Sequence, residues 1–158
     1  MSYHARLIVR DDYMDVVALA RLHHAESRYR HKQFDGERVY RLCEACYSAP
    51  TYGAAVLLTS AADAAVGYMA ASIEPYVWSD MLAAREMALF VHPEHRSYGS
   101  VRKLVRTMEE WATLKGADTF DIGSSSSLQQ HEVLRVGQVY EKMGYAFHGV
   151  SYIKELQA

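Results

Sequence analysis

One stretch, Met87-Ala-Leu-Phe-Val-His-Pro-Glu-His-Arg-Ser-Tyr-Gly-Ser-Val-Arg-Lys-Leu-Val105, constrains the fold more than any other part of this chain. An apolar strand runs into a Pro turn, then a short loop with Arg96 and Gly99, then an amphipathic helix. A strand that hands over to a helix through a Gly-containing loop aims several backbone N–H groups at one point. The positive end of the helix dipole lies behind them, so the loop suits a phosphate or pyrophosphate.

The flanking patterns place this unit in an α/β chain. Ala5 to Arg10 reads as a first strand, and Asp11 or Asp12 can cap a helix carrying Met14, Val17, Leu19, Ala20 and Leu22. After the polar segment from His23 to Gly36, a second helix is predicted from about Glu37 to Tyr47. Strands follow at Ala54–Ser60 and Ala65–Glu74, joined as a hairpin, and a third apolar strand at Ala84–His92. In that third strand Met87, Leu89 and Val91 point one way and Ala88 and Phe90 the other. Apolar residues on both faces imply a sheet covered on both sides. The helix after the loop presents Val101, Leu104, Val105, Met108 and Ala112 on one face and ends at Gly116. A short strand at Thr119–Ile122, a helix from Glu132 to Met143 and a terminal strand, or two, from Tyr145 to Leu156 complete a mixed sheet with helices.

Bulk properties exclude several classes. The 158 residues fit one domain, and a net charge of −2 argues against a nucleic-acid surface. The densest cationic run is Arg28-Tyr-Arg-His-Lys32. Cys43 and Cys46 sit three apart with no second pair to complete a zinc set, so they read as apolar residues on one helix. No metal is expected. The start of the chain lacks the apolar core of a signal peptide, and no apolar run approaches the ~20 residues of a membrane span. A reducing, cytoplasmic setting fits.

At this point the sequence resembles the GNAT superfamily of N-acetyltransferases. The family's cofactor loop is Arg or Gln, two residues, Gly, one residue, then Gly or Ala; here it reads Arg96-Ser-Tyr-Gly99-Ser-Val101. A second signature, an aromatic residue followed by a Gly-aromatic pair, appears as Tyr140-Glu-Lys-Met-Gly144-Tyr145. Val101 stands where the family has Gly or Ala, and Val133 where it often has Asn. The resemblance implies one GNAT-like domain over residues 1–158, a three-layer sandwich with a mixed central sheet of six to seven strands and about four helices. It also implies acetyl-CoA as cofactor, with its pyrophosphate at Arg96, Ser97, Tyr98, Gly99, Ser100 and Val101. The pantetheine arm would lie along Leu89, Phe90 and Val91.

The chemistry then nominates the remaining residues. An alkyl ammonium of pKa ~10.4 must lose a proton before it attacks, at a cost of about 4.6 kcal/mol at pH 7, so a base is useful. Glu86 occupies the strand position where some family members carry a catalytic Glu; the competing reading is a salt bridge with Arg85 or another cation. Tyr140 matches the family's general acid, whose pKa of ~10 suits a departing thiolate. Glu26, Tyr29, Tyr76 and Trp78 are the candidate substrate contacts, and the same aromatics serve equally well for a homodimer interface. The expected activity is acetyl transfer from acetyl-CoA to a primary amine, of a small molecule or a protein, by direct attack. The alternative is an inactive GNAT-like module that binds acyl-CoA or a protein partner.

Overall fold

A computed structural model of the protein describes residues 2–123, 130–149 and 154. Five strands hydrogen-bond in sequence order: β1 (Tyr3–Leu7), β2 (Gly53–Ser60), β3 (Ala65–Pro75), β4 (Leu82–Val91) and β5 (Thr119–Asp121). The first four pair antiparallel, and β5 joins β4 in parallel. The helices are α1 (Tyr13–Glu26), α2 (Gly36–Ser48), α3 (Tyr98–Leu114) and α4 (Gln130–Lys142). None of the helices among the described residues is long and apolar enough to cross a membrane.

Alternation along the strands divides the core in two. Val56, Leu58, Met69, Ala71, Ala84 and Val91 pack with Leu104, Val105, Met108 and Trp111 of α3. On the opposite face Ala55, Leu57, Tyr68, Ala70 and Phe90 meet Val16, Leu19 and Ala20 of α1 and Cys43 and Cys46 of α2. Both faces of the sheet are therefore covered, as the two-sided strands require. The two thiols are buried and free, and burial pushes them up to about 12 for Cys43 and about 11 for Cys46.

Several expectations are corrected. The described sheet has five strands rather than six or seven. Residues 145–149 form no strand, and most of the rest of the expected terminal strand lies outside the described residues. The reason is local: the Tyr145 N–H bonds back to the Tyr140 carbonyl and closes the end of α4, with Gly144 at φ +98°. The first strand ends at Leu7, not Arg10, because the Asp12 carboxylate accepts from the Val9 N–H at 2.7 Å and from Arg6 Nη2 at 2.8 Å. That pair turns the chain and diverts the carboxylate from capping α1. Met14 and Leu22, expected in the core, are exposed, whereas Tyr13 and Val16 are buried.

One irregularity positions everything that follows. Ala70 pairs with Ala88 but Ala71 pairs with Glu86, so Met87 is an extra residue in β4, a β-bulge. Parity flips across it: Ala84 faces the same core as Leu89 and Val91, while Ala88 and Phe90 face the other. Beyond the bulge β3 and β4 run close together at Gly67, where an added Cβ would lie 2.8 Å from the Phe90 carbonyl oxygen. A Gly67→Ala variant is expected to lose about 1–3 kcal/mol of stability in chemical denaturation, since backbone must move to admit one methyl group.

Candidate active site

The site lies where β4 and β5 part. Their parallel pairing covers Ala83–Thr119, Ala84–Phe120 and Arg85–Asp121 and stops there, while β4 continues to Val91. The Phe90 carbonyl faces β3, so the N–H and C=O groups of Leu89 and Val91 face the opposite, open edge. Arg96 closes the far end of this edge: its Nε donates to the Val91 carbonyl at 2.9 Å. The same guanidinium pairs with Glu26 at the end of α1 and lies 5.6 Å from the centre of the Phe90 ring.

The loop beyond Arg96 is held by its own serines. Ser97 caps α3: its Oγ accepts from the Ser100 N–H at 3.1 Å, and Ser100 Oγ accepts from the Ser97 N–H at 3.0 Å. Ser100 is fully buried, and its hydroxyl donates to the His95 carbonyl at 2.8 Å. The Val101 N–H bonds to the Ser97 carbonyl, and the Val101 side chain packs against the core beneath α3. Among the described residues no such bond uses the amides of Tyr98 and Gly99, which open the first turn of the helix. A Cβ at Gly99 would meet only Ser97 Oγ, at 3.8 Å. Protein packing therefore leaves this position open, and an anion could approach the two amides closely here.

On the other side of the strand gap, two ionisable groups converge on one residue. The Gly123 N–H donates to Glu86 Oε2 at 3.2 Å, and the Tyr140 hydroxyl donates to the Gly123 carbonyl at 3.2 Å. Glu86 stands just before the bulge, and Tyr140 is buried with Met143 in the core cluster on the α3 face of the sheet. Burial raises the Glu86 carboxyl to about 7, partly offset by the Gly123 N–H. Burial, reinforced by the Glu86 charge, pushes the Tyr140 phenol up from its ordinary value, so it keeps its proton at neutral pH. The salt bridge expected as the alternative for Glu86 does not form; Arg85 pairs instead with Asp121 and Glu74.

Both groups line a cavity of about 380 Å³ whose other walls include His23, Tyr29, Phe34, Tyr68 and Leu89. His23 Nδ1 lies 3.0 Å from the Tyr68 hydroxyl, and its ring stacks on Phe90 at 5.2 Å. Burial lowers the His23 imidazole from its ordinary value. Of the candidate substrate residues, Tyr29 lines the cavity and Glu26 stands beside it, engaged by Arg96. Tyr76 and Trp78 sit on the β3–β4 turn, and neither is part of the cavity wall. A larger hollow of about 720 Å³ beside α3 and Phe120 contains neither Glu86 nor Tyr140. Sequence reading missed Gly123, which has no side chain to notice, and the His23–Tyr68 pair, whose members are far apart in the chain.

Comparison with known proteins identifies the fold. The profile of the GNAT acetyltransferase domain matches residues 53–146. The chain belongs to the GNAT acetyltransferase family. No curated protein matches by sequence. Among solved structures, AAC(6')-Iy in complex with the bisubstrate analogue CoA-S-monomethyl-acetylneamine aligns with a TM-score of 0.78 at 16% identity, covering 100% of both chains. The aminoglycoside acetyltransferase meta-AAC0020 from an uncultured soil metagenomic sample, in complex with sisomicin, aligns with a TM-score of 0.72 at 15% identity over 98% of this chain and 97% of that one. The ribosomal-protein-alanine N-acetyltransferase from Brucella melitensis biovar Abortus 2308 gives 0.71 at 15% over 99% and 100%. At such identities the likeness establishes the fold.

The raised Glu86 carboxyl carries a stability signature. The folded state holds the proton more tightly than the unfolded chain, whose value is near 4.5, so folding is favoured below that pH and loses this contribution as pH rises to about 7. A Glu86→Gln variant, which cannot ionise, should therefore gain stability relative to the parent at pH 8 compared with pH 5. Denaturation midpoints at the two pH values measure this difference.

Proposed function

We propose that this protein is an acetyl-CoA-dependent N-acetyltransferase that acetylates a primary amine by direct attack. The observation that carries the reading is the meeting of Glu86 and Tyr140 on Gly123 at the point where β4 and β5 diverge. Leu89 on the open β4 edge and the Tyr98 and Gly99 amides are the groups that would hold the cofactor's amide arm and pyrophosphate. Acetyl-CoA supplies the thioester that the amine attacks and the thiolate that leaves. A solved relative in fold holds a CoA-based bisubstrate analogue, which is consistent with this placement.

The residues divide the proton work. Glu86, with a carboxyl near 7, is ionised in a useful fraction at neutral pH and accepts the ammonium proton at Oε. Tyr140 retains its phenolic proton and delivers it from Oη to the leaving sulfur. As the N–C bond forms and the C–S bond breaks, Glu86 keeps the first ammonium proton, Tyr140 protonates the thiolate, and the second proton lost from the nitrogen restores the Tyr140 phenol, so the net product is one proton on Glu86. Direct attack is favoured because Cys43 and Cys46 face the core between α2 and the sheet, with thiols raised far above neutrality. Val101, the residue that set this loop apart from the family pattern, turns into the core and leaves the anion site clear.

Acetyl-CoA at ~100 times its dissociation constant is expected to stabilise the protein by about 2.7 kcal/mol, and Gly99→Glu to abolish the shift. Turnover on an amine panel should rise with pH through about 7 and lose that limb in Glu86→Gln. Tyr140→Phe should lower kcat about a hundredfold while cofactor binding persists. Intact acetyl-CoA binding with no turnover of any amine would instead identify an acyl-CoA-binding module.

A further inference from the structure

Acetyl transfer as described leaves the cationic run Arg28-Tyr-Arg-His-Lys32 without a role, yet the fold sets it beside the acceptor cavity, with Tyr29 in the wall. Ser27 and Tyr29, which begin the segment, line that cavity. The segment is a bonded turn rather than a slack loop. Ser27 Oγ accepts from the Tyr29 N–H at 3.1 Å, the Arg30 N–H bonds to the Ser27 carbonyl at 3.2 Å, and the Lys32 N–H to the Tyr29 carbonyl at 2.8 Å. Two guanidinium groups lie directly against cavity rings: Arg28 is 5.9 Å from the centre of Tyr29, and Arg21 is 4.7 Å from that of Phe34.

This wall carries uncompensated charge. Among the described residues no carboxylate forms an ion pair with Arg21, Arg28, Arg30 or Lys32. Glu26, the acid just before the stretch, is held by Arg96, and the Asp35 carboxylate caps α2 through the Arg38 N–H. Arg21 and Arg28 thus stand against two rings that line a cavity also lined by the Glu86 carboxylate, with Arg30 and Lys32 in the same bonded turn as Arg28. A ligand that spans floor to rim meets a proton acceptor at one end and positive charge at the other.

We propose that the acceptor is a small amine bearing an anionic group, a carboxylate or a phosphate, at the end remote from the reacting nitrogen. The nitrogen sits at Glu86 and the anion at the Arg21–Arg28–Arg30 rim. The cavity of about 380 Å³ has room for a small molecule. A polycationic acceptor would bring its second ammonium against the rim. The inference rests on the acetyltransferase reading and names the substrate class of that site.

A matched set tests it: n-propylamine, β-alanine, 2-aminoethylphosphonate and 1,3-diaminopropane, each with saturating acetyl-CoA at low salt. At least one anionic amine should exceed propylamine in kcat/KM by about tenfold, largely through KM, with the diamine poorest. The carboxylate and phosphonate arms show which anion the rim prefers. The preference should shrink as salt rises, because the cations are exposed and screened. It should reverse in a folded Arg28→Glu, Arg30→Glu double variant. If the neutral amine or the diamine is best, or charge reversal leaves the order unchanged, the inference fails while the transferase reading stands. No turnover of any of the four would count against the transferase reading itself and remove the inference with it.

Discussion

Parallel pairing between β4 and β5 ends at Arg85–Asp121, well before β4 itself ends at Val91, and the site depends on that early parting. A core strand whose backbone N–H and C=O groups lack a partner is costly unless something else bonds them. Arg96 satisfies the Val91 carbonyl at one end, and Gly123 bonds Glu86 and Tyr140 at the other. Between these two braces the Leu89 edge is left for a ligand that can act as an added strand. The bulge at Met87 flips the parity of β4, and Glu86 just before it accepts from the Gly123 N–H while Leu89 and Val91 face the α3 core.

The cofactor loop and the acid–base pair draw on different physics. Around α3 the serines spend their side chains on each other, so Ser97 and Ser100 act as scaffold and the amides of Tyr98 and Gly99 carry the positive end of the helix. At Glu86 and Tyr140 burial does the tuning, raising a carboxyl toward neutrality and keeping a phenol protonated. One buried environment thereby leaves a carboxyl partly ionised and a phenol protonated, the separation that the proposed acyl transfer to an amine would use.

Much of this was legible in the residues. The order of elements through α4 follows from apolar periodicity and turn residues and stands as read, and the Arg96–Val101 loop follows from its glycine between strand and helix, whereas the Tyr140–Gly144 pair was recognisable only through the family resemblance. What escaped was non-local. A bulge exists only in the pairing of two strands, so Met87 looked like an ordinary alternating residue. The Asp12 carboxylate looked like a helix cap until Arg6, brought beside it by β1, claimed it. Gly123 contributes through its backbone alone. His23 and Tyr68 meet only because α1 lies across β3. Tyr76 and Trp78 were chosen for their chemistry, but the β3–β4 turn places them outside the cavity wall.

The most direct test of the account is amide hydrogen exchange with and without acetyl-CoA. The open β4 edge around Leu89 and the first turn of α3 at Tyr98 and Gly99 are expected to become protected together, with little change in the β2–β3 pairing. Protection confined to other segments, or none at saturating ligand, would contradict the claim that the β4–β5 gap is the cofactor's seat.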